Sequence, residues 1–281
     1  MPFCDPKKNP AFITPDFSSW QGTRDQDASR LPHIFTTTRH FVRDHTPTGQ
    51  ERFSSPTPDN FDPPAHPRGA AIERAFCDAG APLSLWLPSP PVWLHQVHGI
   101  TVADADATPL ATLRHTPPHA DAIVTRQRGK VLAIQTADCL PVVFFDPNSC
   151  TLGAAHAGWR GLAAGVLEAT LAAMNVPPDR LCAWIAPAIG KEAFEVGAEV
   201  LCAFNAQEDT DAARCFKQKR SNLNEEKWCA DLEGLATLKL KRAGVADIAA
   251  AGLCTYSDPA RFFSYRRSKE DGRMVTFIYF V

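Results

Sequence analysis

Along the second half of the chain, apolar positions come in short blocks separated by turn residues. Val131-Leu132-Ala133-Ile134 is one such block, closed by Gln135-Thr136-Ala137-Asp138-Cys139. Val142 to Phe145 is a second, closed by Asp146-Pro147-Asn148, and Thr151 to Ala155 is a third. Runs of this length between turn residues predict buried strands. Gly158-Trp159-Arg160-Gly161 then opens a predicted helix. Leu162, Val166, Leu167, Thr170, Leu171 and Met174 recur along it with the 3.6-residue period of one buried face, and Pro177-Pro178 stops it. Leu181 to Ile185 reads as another strand. Phe194 to Phe204 and Leu232 to Arg242 read as helices, the second closed by Gly244 as a C-cap. Phe262 to Tyr265 and Met274 to Val281 read as strands.

The first half has another texture. Residues 1–118 hold 18 of the 24 prolines, and eight of the nine histidines lie at or before His119. Between His40 and Pro91 the chain is crowded with Pro, Arg, Ser and Thr, and residues 54–71 carry neither a helical nor a strand period. A structureless stretch of that length is unusual inside a compact domain.

At 281 residues, the chain is one large domain or two small ones, long enough to bury a core without disulfides. Apolar residues at 44% and charged residues at 21% exclude a disordered, collagenous or coiled-coil chain. The formal charge, 29 minus 31 or −2, supplies no global field for nucleic acid or an acidic membrane, and neither partner is expected. No apolar run approaches the roughly 20 residues of a membrane span. The first residues carry no signal-peptide pattern. The nine cysteines are odd in number and include no CxxC pair. That argues against a disulfide framework or a zinc ribbon, and the expected setting is a reducing cytoplasm.

Three segments sit where predicted elements end: Leu94-His95-Gln96-Val97-His98-Gly99, Thr136-Ala137-Asp138-Cys139-Leu140-Pro141, and Ala154-Ala155-His156-Ala157-Gly158-Trp159-Arg160-Gly161. Ligand sites in α/β sheets collect at the carboxyl ends of strands. One thiolate and two imidazoles brought together there suit zinc, and three protein ligands leave a fourth position open, as catalytic sites do. The spacings match no local zinc-finger pattern. Two other readings of the same residues stand beside this one: a Cys139 nucleophile with His156 as its base, and ordinary packing. His95, three residues before His98, reads as structural. Arg160 at a helix start would attract phosphate or carboxylate, or is a surface arginine. Phe263-Ser264-Tyr265-Arg266-Arg267 offers a second basic group beside aromatics. Asp121 and Asp138 would each orient an imidazole or cap a turn.

Together these segments resemble one family closely, the laccase-domain or multicopper polyphenol oxidase proteins, also described as purine nucleoside phosphorylases with adenosine deaminase activity. The resemblance is carried by Thr36-Thr37-Thr38-Arg39, Trp93 to Gly99, Ala120-Asp121-Ala122-Ile123-Val124-Thr125, Thr136 to Val142, His156 to Gly161, Phe194-Glu195-Val196-Gly197-Ala198-Glu199-Val200, Asp231-Leu232 and Phe263 to Arg267. Apart from the first, they run in family order from about residue 92 onward. The resemblance implies an α+β fold: a single domain of layered mixed β-sheets flanked by helices, with an architecture shared with toxin deamidases that use a Cys–His pair. That domain would span residues 31–281, after an N-terminal extension, poorly ordered, over residues 1–30. The resemblance also implies a metal on His98, Cys139 and His156, zinc in the nucleoside reading and copper in the older oxidase reading. Its implied substrates are purine nucleosides (adenosine, inosine, guanosine, methylthioadenosine) and phosphate. Catalytic roles fall to Cys139, His156, Asp138 and Arg160, and substrate contacts to Arg39, Gln96 and Arg266, with the chain a monomer or weak homodimer. A metal-free cysteine hydrolase using Cys139 and His156 is a further alternative, and an inactive metal- or partner-binding module a non-enzymatic one.

One departure is plain. Where the family has a Gly-Gly-Val-Ser turn, this chain reads His40-Phe41-Val42-Arg43, and the family pattern resumes only near Pro91-Val92-Trp93. The abrupt break and the odd composition suggest that about His40 to Leu87 is translated from a shifted reading frame. In that case mass spectrometry of the protein would disagree with these residues, and agreement would end the idea.

Overall fold

A computed structural model describes residues 12–16, 31–38, 73, 83–219, 226–270 and 272–281. Arg39 and most of the atypical stretch lie outside these residues, and so does most of the reading-frame expectation. Three sheets form among the described residues. The first has the order β1 (Phe12–Ile13), β2 (His33–Thr37), β14 (Met274–Tyr279), β6 (Val131–Thr136), β3 (Pro91–Val92). The second has the order β13 (Asp247–Ala250), β9 (Cys182–Ile185), β7 (Leu140–Phe145), β8 (Leu152–Ala157), β5 (Ala122–Thr125), β4 (Val102–Asp104). A small third sheet orders β10 (Glu195–Val196), β12 (Lys227–Ala230), β11 (Phe216–Lys219). Both large sheets are mixed: β14 runs antiparallel to β2 and β6, and β3 parallel to β6. In the second sheet β7 is antiparallel to β8 and β9, while β13 runs parallel to β9. The layered mixed architecture expected from the sequence is the one observed.

The two large sheets lie face to face. Ile34, Leu132, Ile134 and Ile278 of the first pack in one cluster with Ile123, Val143, Phe145 and Trp184 of the second. The outer face of the second sheet, including Val142, Phe144, Ala155 and Ile185, is covered by helices. The outer face of the first, including Phe12, Phe35, Val131, Val275 and Phe277, meets Leu83, Trp86 and Leu87. Strands β6, β7 and β8 are therefore buried on both faces. That is why they read as continuous apolar runs rather than as alternating ones.

The α-helices with described spans are α1 (Leu110–His115), α2 (Trp159–Ala164), α3 (Val166–Met174), α4 (Ala198–Ala203), α5 (Thr210–Ala213) and α6 (Leu232–Arg242). The single helix expected after Gly158 is broken into α2 and α3 at Gly165, whose φ of 105° only glycine adopts without strain. The helix expected over Phe194–Phe204 begins only after Gly197, and Glu195–Val196 instead form β10. Helix α6 matches its expected span and is capped by Asp231, which accepts from Gly234 N at 2.8 Å. The strand expected at Phe262–Tyr265 does not form: Phe262 to Ser264 run without regular structure into a turn that begins at Tyr265, held by contacts described below.

Two parts of the first half make specific contacts where they are described. Phe12 and Ile13, inside the predicted extension, pair with Thr37 and Thr36. Glu73, inside the atypical stretch, forms a buried ion pair with Arg114 (3.1 Å) and accepts from Trp93 Nε1 (2.9 Å). No helix among the described residues is long and apolar enough to cross a membrane.

Candidate metal centre and its cavity

The two large sheets open at one end into a cavity of about 700 Å³, where the loop after β6, the end of β8 and the His98 loop converge. There the ligand atoms of His98, Cys139 and His156 all lie within 4.8 Å of one another. His98 Nε2 stands 3.8 Å from Cys139 Sγ, close to the roughly 3.5 Å that two tetrahedral zinc ligands of these types would keep. The His98 and His156 rings meet edge to face at 4.7 Å. His156 is buried, Cys139 half-buried and His98 exposed, so the group opens toward the cavity.

The local backbone explains how the three meet. His156 sits within β8, opposite Pro141 of β7, and Cys139, just before β7, lies two positions from Pro141 along that strand. Asp138, with a φ of 91°, turns the chain sharply between β6 and β7 and presents Cys139. Gly158 follows β8 where nothing larger fits: a Cβ there would stand 2.8 Å from His98 Cδ2 and 3.1 Å from Cys139 Sγ.

Asp121 holds the His156 imidazole and the backbone of the His98 loop. Its Oδ1 accepts from His98 N (2.9 Å) and pairs with His156 Nδ1 (2.8 Å). Its Oδ2 accepts from Val97 N (3.1 Å) and Gly99 N (2.7 Å). Burial works against this carboxylate, but the bond from His156 and the amide bonds outweigh it and hold its pKa below the ordinary value. With Nδ1 donating to Asp121, His156 Nε2 is left as the acceptor that a metal needs. Of the two roles read for Asp121, orienting an imidazole is the one observed, and it also cradles the His98 loop.

Without metal, burial likewise opposes the Cys139 thiolate. Hydrogen bonds and charge from His156 and His98 prevail and bring the thiol down to about 6. His156 moves the other way: burial disfavours its cation, but Asp121 and Cys139 raise it to about 9. The metal-free pair is therefore thiolate and imidazolium at neutral pH.

The other expected site residues divide. Arg160 lines the cavity, its guanidinium 4.3 Å from the centroid of the Trp159 ring. Gln96 lines it too, but both ends of its amide are held by the Gln135 backbone, at 2.8 and 2.9 Å. Asp138, expected to be catalytic, faces away. Its carboxylate accepts from Thr255 Oγ1 (2.6 Å), Ser264 Oγ (2.9 Å) and Arg266 N (2.7 Å), and is buried by them. These contacts make it a brace for the 255–266 segment, and they help draw the end of the expected strand into a turn. Arg266, expected at the substrate, points elsewhere: Nη1 donates to Glu195 O at 2.9 Å and the guanidinium stands over the Phe194 ring. Its place on the cavity wall is taken by Tyr265 and Arg273. Tyr265 lay inside a recognised segment, whereas Arg273 carried no signal. His95 also reaches the wall, with its ring stacked on His119 at 4.9 Å.

A family model described as multi-copper polyphenol oxidoreductase laccase matches residues 78–281. The chain belongs to this family. Its relatives include a Xylella fastidiosa (strain Temecula1) protein named purine nucleoside phosphorylase, 47% identical over 194 residues, which are 68% of this chain and 73% of the relative. The Escherichia coli K12 purine nucleoside phosphorylase YfiH is 46% identical over 195 residues, 69% of this chain and 76% of its own length. The crystal structure of Neisseria meningitidis protein NMB0706 superposes with a TM-score of 0.70 at 34% identity, covering 96% of this chain and 99% of that one. The resemblance read from the ordered segments is thus confirmed at the level of the family and its layered fold. The chain is an enzyme-family member whose relatives carry the phosphorylase name.

Proposed function

We propose that this protein is a zinc-dependent purine nucleoside phosphorylase that also deaminates adenosine. The observation that carries the reading is the His98–Cys139–His156 cluster at the cavity floor, in a chain whose near relatives are named for phosphorolysis. In phosphorolysis, phosphate oxygen bonds to C1′ of the nucleoside as the glycosidic bond breaks, giving the free base and pentose 1-phosphate. In deamination, water adds at C6 of adenosine and ammonia leaves, giving inosine.

The donor set fits zinc. One thiolate and two imidazoles, one of them fixed by a carboxylate, form a three-ligand site with an open position. Bound there, zinc supplies Lewis acidity and lowers the pKa of water. The chain's own groups do the rest. Asp121 fixes the His156 tautomer and the His98 loop. Arg160 offers a charged fork to phosphate at the cavity wall. Gln96 shapes that wall through the Gln135 backbone, and the substrate class is the purine nucleosides as a group. A multicopper oxidase needs several copper centres, whereas one ligand cluster is found among the described residues. We place the protein in the cytoplasm, as a monomer or weak homodimer without nucleic-acid or membrane partners. All seven described cysteines are free, in keeping with a reducing compartment.

The test is metal analysis of protein purified without added metal, paired with an inosine assay with and without phosphate. About one zinc per chain and phosphate-dependent release of hypoxanthine are expected, both lost in a His98→Ala, Cys139→Ala, His156→Ala triple variant. Several coppers per chain with phenol oxidation would overturn the reading.

A second reading rests on the lowered Cys139 thiol and raised His156, ordered by Asp121 as a Cys–His–Asp relay. It is a metal-free hydrolase. Activity surviving chelation and abolished by alkylation of Cys139 would select it.

A further inference from the structure

We infer that Tyr265 is the platform on which the purine ring stacks, and that it makes the enzyme selective for purines while indifferent to their exocyclic groups. The inference rests on the nucleoside reading above. Among the described residues lining the cavity, Tyr265 is the only Phe, Tyr or Trp side chain. The other wall groups are aliphatic, polar, charged or imidazole. The residue is 49% exposed although its neighbours Phe263 and Ser264 are buried. Tyr265 lines the cavity, and ligand pockets draw much of their binding surface from such aromatic side chains.

The backbone that carries the ring is held in place. Ser264 and Arg266, on either side of it, bond to the same oxygen of Asp138 at 2.9 and 2.7 Å. Asp138 in turn precedes Cys139 directly, so one buried carboxylate fixes the platform relative to the metal ligand. The turn is closed further by Ser268 N to Ser264 O (2.9 Å). Arg267 spans it from beneath, donating to Thr255 O, Tyr256 O and Phe262 O at 2.7–3.0 Å. Arg273 stands with its guanidinium 5.6 Å from the Tyr265 ring centroid and lines the same cavity. Arg273 covers one face of the ring, and the opposite face is left for a flat base, with a cation close by for an anionic group.

Stacking reads the size of a π-face and not its hydrogen-bonding edge, because every base offers such a face. Adenine, hypoxanthine and guanine are then equivalent to Tyr265, and a pyrimidine, with one ring, is held less well. Asp138 acts here as a positioning residue.

The test compares wild type, Tyr265→Phe, Tyr265→Leu and Tyr265→Ala, each zinc-loaded and matched in zinc content. The measurements are calorimetric Kd values for inosine and for ribose 1-phosphate, and kcat/KM for inosine against uridine. The Ala and Leu variants are expected to bind inosine about 10-fold or more weakly, with Phe within about 2-fold of wild type. Ribose 1-phosphate, which has no base, should bind all four alike, and the inosine-over-uridine preference should fall toward parity in Ala and Leu. Unchanged inosine binding in the Ala variant would overturn the inference, as would a Phe variant as weak as Ala. If wild type turns over nucleosides with phosphate and the variants do not differ, this inference alone falls. If wild type binds no nucleoside, the functional reading falls and takes this one with it.

Discussion

Asp121 and His156 are joined twice. The His156 amide donates to the Asp121 carbonyl at 2.6 Å, and the imidazole Nδ1 pairs with the Asp121 carboxylate at 2.8 Å. The first link continues the antiparallel pairing of β5 and β8, in which Ala122 faces Ala155. The second extends the same register into the metal centre. A sheet register thereby sets the tautomer of a metal ligand.

The first consequence concerns metal affinity. Asp121→Asn keeps the size of the side chain but loses its charge and one set of accepting lone pairs. Zinc affinity, measured by competition with a chelating dye, should drop about 10- to 100-fold. Unchanged affinity would mean that the imidazoles are held by packing alone.

Gly158 offers a purely steric test. Its backbone, at φ −60° and ψ 155°, suits alanine, yet the added Cβ would press on His98 and Cys139. Gly158→Ala should therefore lose bound metal while Tm moves by only a few degrees. A variant that still holds about one zinc per chain would show that the His98 loop yields.

Thiol chemistry separates the cysteines. In metal-free protein, alkylation of Cys139 by iodoacetamide should rise with pH, reach half its plateau near pH 6 and level off, since the thiolate is the reactive form. Cys182, pushed up to about 12 by burial and by the nearby Asp247 and Asp146, should stay unmodified across the same range. Adding zinc should protect Cys139. The signs also fix a stability window for the metal-free pair. The raised His156 contributes stability that is full below pH 6.5 and lost as pH rises through about 9. The lowered Cys139 contributes stability that is full above about 9 and lost as pH falls through about 6. Both groups are charged together between those limits. Mass mapping of the labelled peptides reads the first effect, and Tm against pH the second.

Asp138→Ala distinguishes a brace from a proton donor. Removing the carboxylate leaves the Thr255 hydroxyl, the Ser264 hydroxyl and the Arg266 amide without their shared acceptor in a buried setting. The expected cost is about 2–4 kcal/mol by chemical denaturation, with the Ser264→Ala change partly non-additive to it. Full stability with lost turnover would restore Asp138 to the chemistry.

Much of this protein is legible in its sequence. Buried strands β6 to β9 show as apolar runs because a strand between two packed layers has no wet face to interrupt the pattern. Helix α6 shows over its full span, and its end at Gly244 is a local signal. His98, Cys139 and His156 stand out because each follows or ends such a run, and the ordered segments name the family. What the sequence hides is what depends on contacts between distant segments. Phe262–Tyr265 has the composition of a strand, but contacts with the carboxylate of Asp138, more than a hundred positions earlier, help draw its end into a turn. Arg266 and Arg273 look alike as charges along the chain, yet that turn sends the first to Glu195 and leaves the second at the cavity. Asp121 reads equally as a cap or a ligand partner until β5 is laid beside β8. Residue type and local period determined the elements and the chemical groups of the site. Long-range hydrogen bonds, which carry no periodic trace in the sequence, decided which of those groups face the cavity.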